Sequence, residues 1–200
     1  MHVSKVGAVK IKLHRPIEGR IKTLTIKRDA GKWFACFSCE VEPHALPPST
    51  ESIGLDVGLT HFATLSDGTR IPNPRHARRA ERQMRRAQRR IARRRKGSAR
   101  RREAVRLFQV AQAHVRHQRA DTQHKLSRRL VDRYGLIAVE DLNIKGLATG
   151  MLAKPVHDAG WSSFIQKLAY KAASAGRVLV KAIRAAPRST ASAVRTSRRP

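Results

Sequence analysis

The heptapeptide I-G-L-D-V-G-L at 53–59 constrains this chain more than any other stretch. Read as a β-strand, its side chains alternate between two faces. Ile53, Leu55, Val57 and Leu59 turn one way and call for a core. Gly54, Asp56 and Gly58 turn the other way, so one carboxylate stands between two residues that lack side chains. An acid in so apolar a run is costly to bury unless it is paired or holds a metal. The flanking glycines let a ligand approach it closely. A second apolar run with acids in it, L-I-A-V-E-D-L at 136–142, follows far downstream. If the two meet as strands of one sheet, Asp56 and Glu140 become two parts of a metal-ion site.

Two hundred residues suit one domain, or one domain with an appendage. The 43 Lys and Arg against 14 Asp and Glu leave a formal net charge of +29. Such an excess repels itself in a compact chain unless a polyanion neutralises it. Nucleic acid is favoured over an anionic membrane surface as that polyanion. No apolar run approaches the ~20 residues that a spanning helix needs. The N-terminus lacks the pattern of a signal peptide, so an intracellular location is expected. Cys36 and Cys39 form a C-x-x-C, yet on a strand positions i and i+3 face opposite ways. No second Cys or His pair with ligand spacing follows, so two ordinary strand cysteines are preferred over a zinc or redox site.

Residues 1–43 read as β structure. Val9, Ile11 and Leu13 alternate with lysines, and stretches at 23–27 and 32–42 flank the hairpin turn signal D-A-G. In the later strand Trp33, Ala35, Phe37, Cys39 and Val41 share a face. Pro43, Pro47 and Pro48 then mark a linker over 44–52. Strands are expected at 53–58, at 61–65 and, after the Asp67-Gly68 turn, at 70–71, with Pro72 and Pro74 closing the run.

Two helices follow as an antiparallel hairpin over about 75–134. In the first, Ala77, Ala80, Met84, Ala87 and Ile91 recur at spacings of 3 and 4, a narrow seam suited to pairing with another helix. Gly97-Ser98 breaks it, and the second helix carries Ala104, Leu107, Ala111, Val115, Leu126 and Leu130. Positions 75–106 hold 16 Lys and Arg against two Glu, nearly half of the whole chain's excess charge. Opposite-sign partners four residues apart, which would steady a solvated helix, are almost absent. Contact with phosphates is the better reading for Arg78, Arg79, Arg82, Arg85, Arg86, Arg89, Arg90, Arg93, Arg94, Arg95, Lys96, Arg100, Arg101 and Arg102. Arginines spread over a helical face suit recognition of backbone and shape rather than bases, and aromatic residues for base stacking are scarce. On the second helix His114, His117, Asp121 and His124 also fall on one face, where zinc ligation is the less favoured alternative to surface residues near nucleic acid.

A strand is expected at 136–139, ending in Glu140-Asp141. Asp141 points to the opposite strand face from Glu140, so a loop or helix-start role suits it better than ligation. Positions 143–147 begin a loop or short helix, and 149–155 read as loop. Trp161, Phe164, Ile165, Leu168 and Ala172 outline an amphipathic helix with Asp158 near its start. Gly176 closes it, and 178–183 form a further buried strand. Positions 185–200 are Ala, Ser, Thr, Arg and Pro with one Val, a composition that cannot build a core.

This order of elements suits an α/β domain of RNase H-like type. The motifs I-G-L-D-V-G-L, H-F-A-T-L-S-D-G, H-K-L-S-R-R-L-V, I-A-V-E-D-L-N-I-K-G-L, D-A-G-W-S-S-F and V-L-V-K, in that order around the basic hairpin, resemble the TnpB/OrfB proteins of insertion sequences. The likeness runs from about residue 6 to 183. It implies a mixed sheet of RuvC type with the helical hairpin inserted at about 75–134, preceded at 1–43 by part of a wedge (oligonucleotide-binding barrel) domain. It implies a transposon-encoded, RNA-guided DNA endonuclease working in a prokaryotic cytoplasm, associated with the nucleoid when bound to DNA. Its partners would be DNA and a guide RNA, with no membrane and no small-molecule cofactor. Asp56 and Glu140 match the family's first catalytic Asp and its Glu, which hold Mg²⁺ or Mn²⁺ for two-metal phosphodiester cleavage. The family's zinc ribbon and third catalytic Asp find no match, and no Asp or Glu follows Asp158. The expectation is therefore a copy shortened at both ends, with an out-of-frame tail at 184–200 and impaired cleavage. The alternative is a catalytically inactive protein that binds RNA or DNA.

Overall fold

The computed structural model describes residues 1–143, 146, 149 and 153–182. The readings made for most of 144–152 and for the tail from 183 onward lie outside these described residues.

Five strands form the central sheet: β5 (Ser52–Val57), β6 (His61–Leu65), β7 (Arg70–Pro72), β8 (Leu136–Glu140) and β9 (Val178–Ala182). Their spatial order is β7-β6-β5-β8-β9. The three strands β5, β6 and β7 meander antiparallel, whereas β8 lies parallel to β5 and β9 parallel to β8. Between β7 and β8 run two helices, α1 (His76–Ala92) and α2 (Ala99–Arg133). Between β8 and β9 come α3 (Ala153–Ala159) and α4 (Trp161–Ser174). A mixed sheet of this order, with helical crossovers joining its parallel strands, is compatible with an RNase H-like fold.

One face of the sheet makes the core. Ile53, Leu55, Val57, Ile137 and Val139 meet Leu126, Leu130 and Val131 of α2 and Phe164 and Leu168 of α4, all buried. Phe62 and Phe164 meet edge to face with centroids 5.1 Å apart. A register shift between His61 and Ala63 in the pairing with β7 accompanies the burial of neighbouring Phe62 and Ala63 on one core. The opposite face leaves Leu136, Val178 and Val180 exposed.

The amino-terminal part is a two-stranded ribbon, β3 (Arg20–Asp29) with β4 (Lys32–Glu40), behind a small pair β1 (His2–Val3) and β2 (Gly7–Ala8). The ribbon turns at Ala30 and Gly31, both at positive φ, and Asp29 at that turn pairs with Arg116 of α2. No strand forms at 9–13, where alternation alone pointed to one. Val9 N–H donates to Met1 O at 2.8 Å and Val9 O accepts from the Met1 amino group at 3.2 Å, which fixes the start of the stretch.

Residues 44–51 run across the end of the core. Leu46 N–H donates to Ala175 O at 3.1 Å, and Gly135 N–H to Glu51 O at 2.8 Å. The buried Arg177 donates through Nη1 to Pro47 O at 2.8 Å and through Nε to Val131 O at 3.2 Å. Gly135 is required at this crossing, because a Cβ there would sit 1.9 Å from Ser49 O.

Candidate active site and nucleic-acid interface

The parallel pairing sets the register Ile53↔Ile137, Gly54↔Ala138 and Leu55↔Val139. One residue further along each strand come Asp56 and Glu140. Because Leu55 and Val139 are buried in the core, alternation turns both acids to the other face. They thus sit side by side at the carboxyl ends of neighbouring strands, whose backbones run about 4.8 Å apart. Asp56 is exposed and Glu140 half-buried. On the far side Asp56 lies opposite Thr64 of β6.

The glycines flanking Asp56 differ in purpose. A Cβ on Gly54 would make only ordinary contact with Ser66, whose hydroxyl accepts Gly54 N–H at 3.0 Å. A Cβ on Gly58 would come within 3.2 Å of His61 O, so that glycine also serves the tight passage into β6. Two adjacent carboxylates on an open face offer the hard oxygen donors that Mg²⁺ or Mn²⁺ accepts, with space for retained waters. Asp141 lies elsewhere, its N–H donating to Ala182 O at 2.9 Å and its carboxylate 3.6 Å from Lys181 Nζ.

The arginines cluster on α1 and the start of α2. No residue of α1 is fully buried. Ala77, Ala80, Met84, Ala87 and Ile91 are half-buried and its arginines exposed. Arg86, Arg89, Arg90, Arg93 and Arg94 line a shallow groove of about 450 Å³. Glu81 pairs with Arg85 and Glu103 with Arg106, which uses both carboxylates of this stretch. The helix α2 is capped by Ser98 Oγ, which accepts Arg101 N–H at 3.2 Å. Its inner side holds Ala104, Ala113 and Val115, whereas Leu107, placed inward by spacing, is exposed.

His114, His117, Asp121 and His124 are all exposed on α2. Asp121 pairs with Lys125 at 2.8 Å. No group of three His, Cys, Asp or Glu that could hold a metal occurs among the described residues. Cys36 is exposed and Cys39 half-buried, both as free thiols.

Three features escaped the sequence. A second basic groove of about 800 Å³ separates the β3–β4 turn from α2, lined by Arg28, Arg101, Arg102, Arg106 and Arg116 among others. Arg177 ties residue 47 to the core. Asp158 caps α1: its Oδ1 accepts Ala77 N–H at 2.8 Å and its Oδ2 accepts Arg78 N–H at 3.2 Å. The one sequence signal for this last contact was indirect, since α1 has no acid in its own first turn. Among the described residues no helix is long and apolar enough to cross a membrane.

Residues 36–150 match the family OrfB_IS605, described as probable transposase. Over 160 residues the chain is 40% identical to a "putative RNA-guided DNA endonuclease" of Streptomyces pristinaespiralis, covering 79% of this chain and 40% of that protein. It is 27% identical over 184 residues to the "putative RNA-guided DNA endonuclease InsQ" of Escherichia coli K12, covering 84% of this chain and 46% of that protein. The chain therefore spans less than half the length of these curated relatives.

Proposed function

The chain belongs to the OrfB_IS605 family of probable transposases, as a TnpB/OrfB-type insertion-sequence protein, and on that premise we propose an RNA-guided DNA endonuclease of RuvC type. The observation that supports this most is the register that sets Asp56 beside Glu140 on the open face of the sheet. In this reading the two carboxylates hold a divalent cation, Mg²⁺ or Mn²⁺. When bound, that cation supplies Lewis-acid stabilisation of the charge that builds on a phosphodiester. The chain's own residues hold the cation, leave room for a strand between Gly54 and Gly58, and fix the phosphates through the arginines of the inserted hairpin. Those arginines contact DNA and guide RNA through backbone and shape. Two carboxylates supply few of the oxygen ligands that Mg²⁺ takes, so binding is expected to be weak and cutting slow.

The test is cleavage of circular duplex and single-stranded DNA by the full chain with its co-purified RNA, with Mg²⁺ or with chelator. The expected result is slow, Mg²⁺-dependent cutting that falls at least about 100-fold in Asp56→Ala and in Glu140→Ala, the scale of a lost electrostatic or metal-holding group. A second reading, a protein that binds nucleic acid and cuts nothing, draws on the exposed arginines of α1, which need neither acid. Equal and null cleavage by the chain and by Asp56→Ala would sink the endonuclease reading and leave that one.

A further inference from the structure

The arginine helix α1 begins in an unusual way. Its preceding residue, Arg75, lies in the left-handed region at φ 48° and provides no side-chain cap. The first turn holds no acid of its own. A helix start leaves four amide groups without partners, and two of them, at Ala77 and Arg78, are taken by the carboxylate of Asp158, about 80 residues downstream. The same carboxylate lies 3.5 Å from Arg119 Nη2 of α2, with the Asp158 side chain 11% exposed. Beside it His76 Nε2 lies 3.1 Å from Thr122 Oγ1. One acid on α3 therefore joins α1 and α2 at the root of the hairpin.

Asp158 is also continuous with the sheet. Ala159 and Gly160 follow it directly and lead into α4. Gln123 Nε2 donates to both carbonyls of that turn, at 3.1 Å to Ala159 O and 3.0 Å to Gly160 O. Gly160 sits at φ 66°, where a side chain is strained, and a Cβ there would press on Arg119 Cδ at 3.0 Å. From there α4 sets Phe164 against Phe62 of β6, and β6 pairs with the Asp56 strand. The half-buried seam of α1 is mostly alanine, which grips weakly because each residue removes little apolar surface from water.

We propose that Asp158 is a positioning residue, the joint that registers the arginine helix α1 to the strand carrying Asp56. It touches neither metal nor substrate. Its role is to hold the helix start, and with it the phosphate-binding face, at a set angle to the carboxylate pair. The inference rests on the endonuclease reading only for its consequence in cleavage; the joint itself is a property of the free protein.

The test uses the full chain with spin labels at Gln88→Cys on α1 and Gln166→Cys on α4, with Cys36 and Cys39 changed to Ser. Electron–electron distance measurement is expected to give one narrow distribution. Asp158→Ala is expected to broaden or shift it, and Asp158→Asn, which keeps one oxygen for Ala77, to do so less. Hydrogen exchange at the Ala77 and Arg78 amides is expected to speed up at least about 10-fold on losing the cap, with protection of the β5 amides reporting that the fold is retained. In the cleavage assay, Asp158→Asn is expected to lower the rate at saturating DNA at least about 10-fold while DNA affinity stays within about 3-fold, because the arginines remain but are misplaced. An unchanged distance distribution in both variants, with faster exchange confined to those two amides, would overturn the proposal and reduce Asp158 to a local cap. If no form of the chain cleaves DNA, the endonuclease reading falls while the distance measurement still decides the joint.

Discussion

At His76 the imidazole is partly buried between the two helices of the hairpin, and burial pushes its pKa below the usual value, against a smaller upward pull from Asp158. At His124, whose side chain is largely exposed, partial desolvation and the charges of Lys171 and Lys167 lower the pKa in the same direction. A histidine whose folded pKa is depressed binds fewer protons folded than unfolded. The stability this contributes is therefore fully present above the unfolded value of about 6.5 and is lost as pH falls below it through the lower folded value. Acidification from about pH 7.5 to about 5.5 is expected to lower the Tm, and the pair His76→Gln with His124→Gln to flatten that part of the slope. Thermal melts at several pH values check it, and an unchanged slope in the double variant would contradict it. Phe164 is fully buried against Phe62. Phe164→Ala is expected to cost about 3–5 kcal/mol, the range for deleting a buried aromatic ring, and to lower the denaturant midpoint accordingly.

At the scale of one element, α1 is held by its seam, by Asp158 and by little else, and presents its arginines to solvent. Glutamine has nearly the helix propensity of arginine, so changing Arg86, Arg89, Arg90 and Arg93 together to Gln should keep the helix and remove four positive charges from its carboxyl-terminal half and cap. If all four contact duplex phosphates, the slope of log affinity against log salt is expected to become shallower by about 3–4. Binding titrations over a range of salt read this directly, with circular dichroism confirming helicity. A slope equal to that of the unaltered chain would place the phosphates elsewhere on the molecule.

At the scale of the whole molecule, the +29 charge sets the terms of stability. Self-repulsion outweighs the few ion pairs, so added salt is expected to raise the Tm, the reverse of a protein held by attractive surface pairs. A polyanion that binds only the folded chain raises it further. A high, salt-independent Tm in buffer free of nucleic acid would contradict this. The crossing of residues 44–51 over the core depends on Arg177, which donates to Pro47 O and Val131 O from a buried position. Arg177→Met would keep much of the packing and lose both bonds, at an expected cost of about 2–3 kcal/mol.

The pieces that depend on local pattern were legible in the chain itself. Alternation around Asp56 specified a strand with one acid on its non-core face, and the spacing of Ala77 to Ile91 specified a helix with a narrow seam. The period of a segment and the chemistry of its two faces are written in neighbouring residues. Pairing is not. Alternation at 9–13 was as regular as elsewhere, yet no strand formed there. That Asp56 stands beside Glu140 depends on the parallel register of β5 and β8, and a slip of one residue would turn one of the acids into the core. Asp158 at α1 and Arg177 at residue 47 likewise depend on groups 80 and more residues away. Such contacts exist only once the core has brought distant segments together. Neighbouring residues carry the period of most elements and the chemistry of their faces, whereas which faces meet is set by long-range packing that no local pattern encodes.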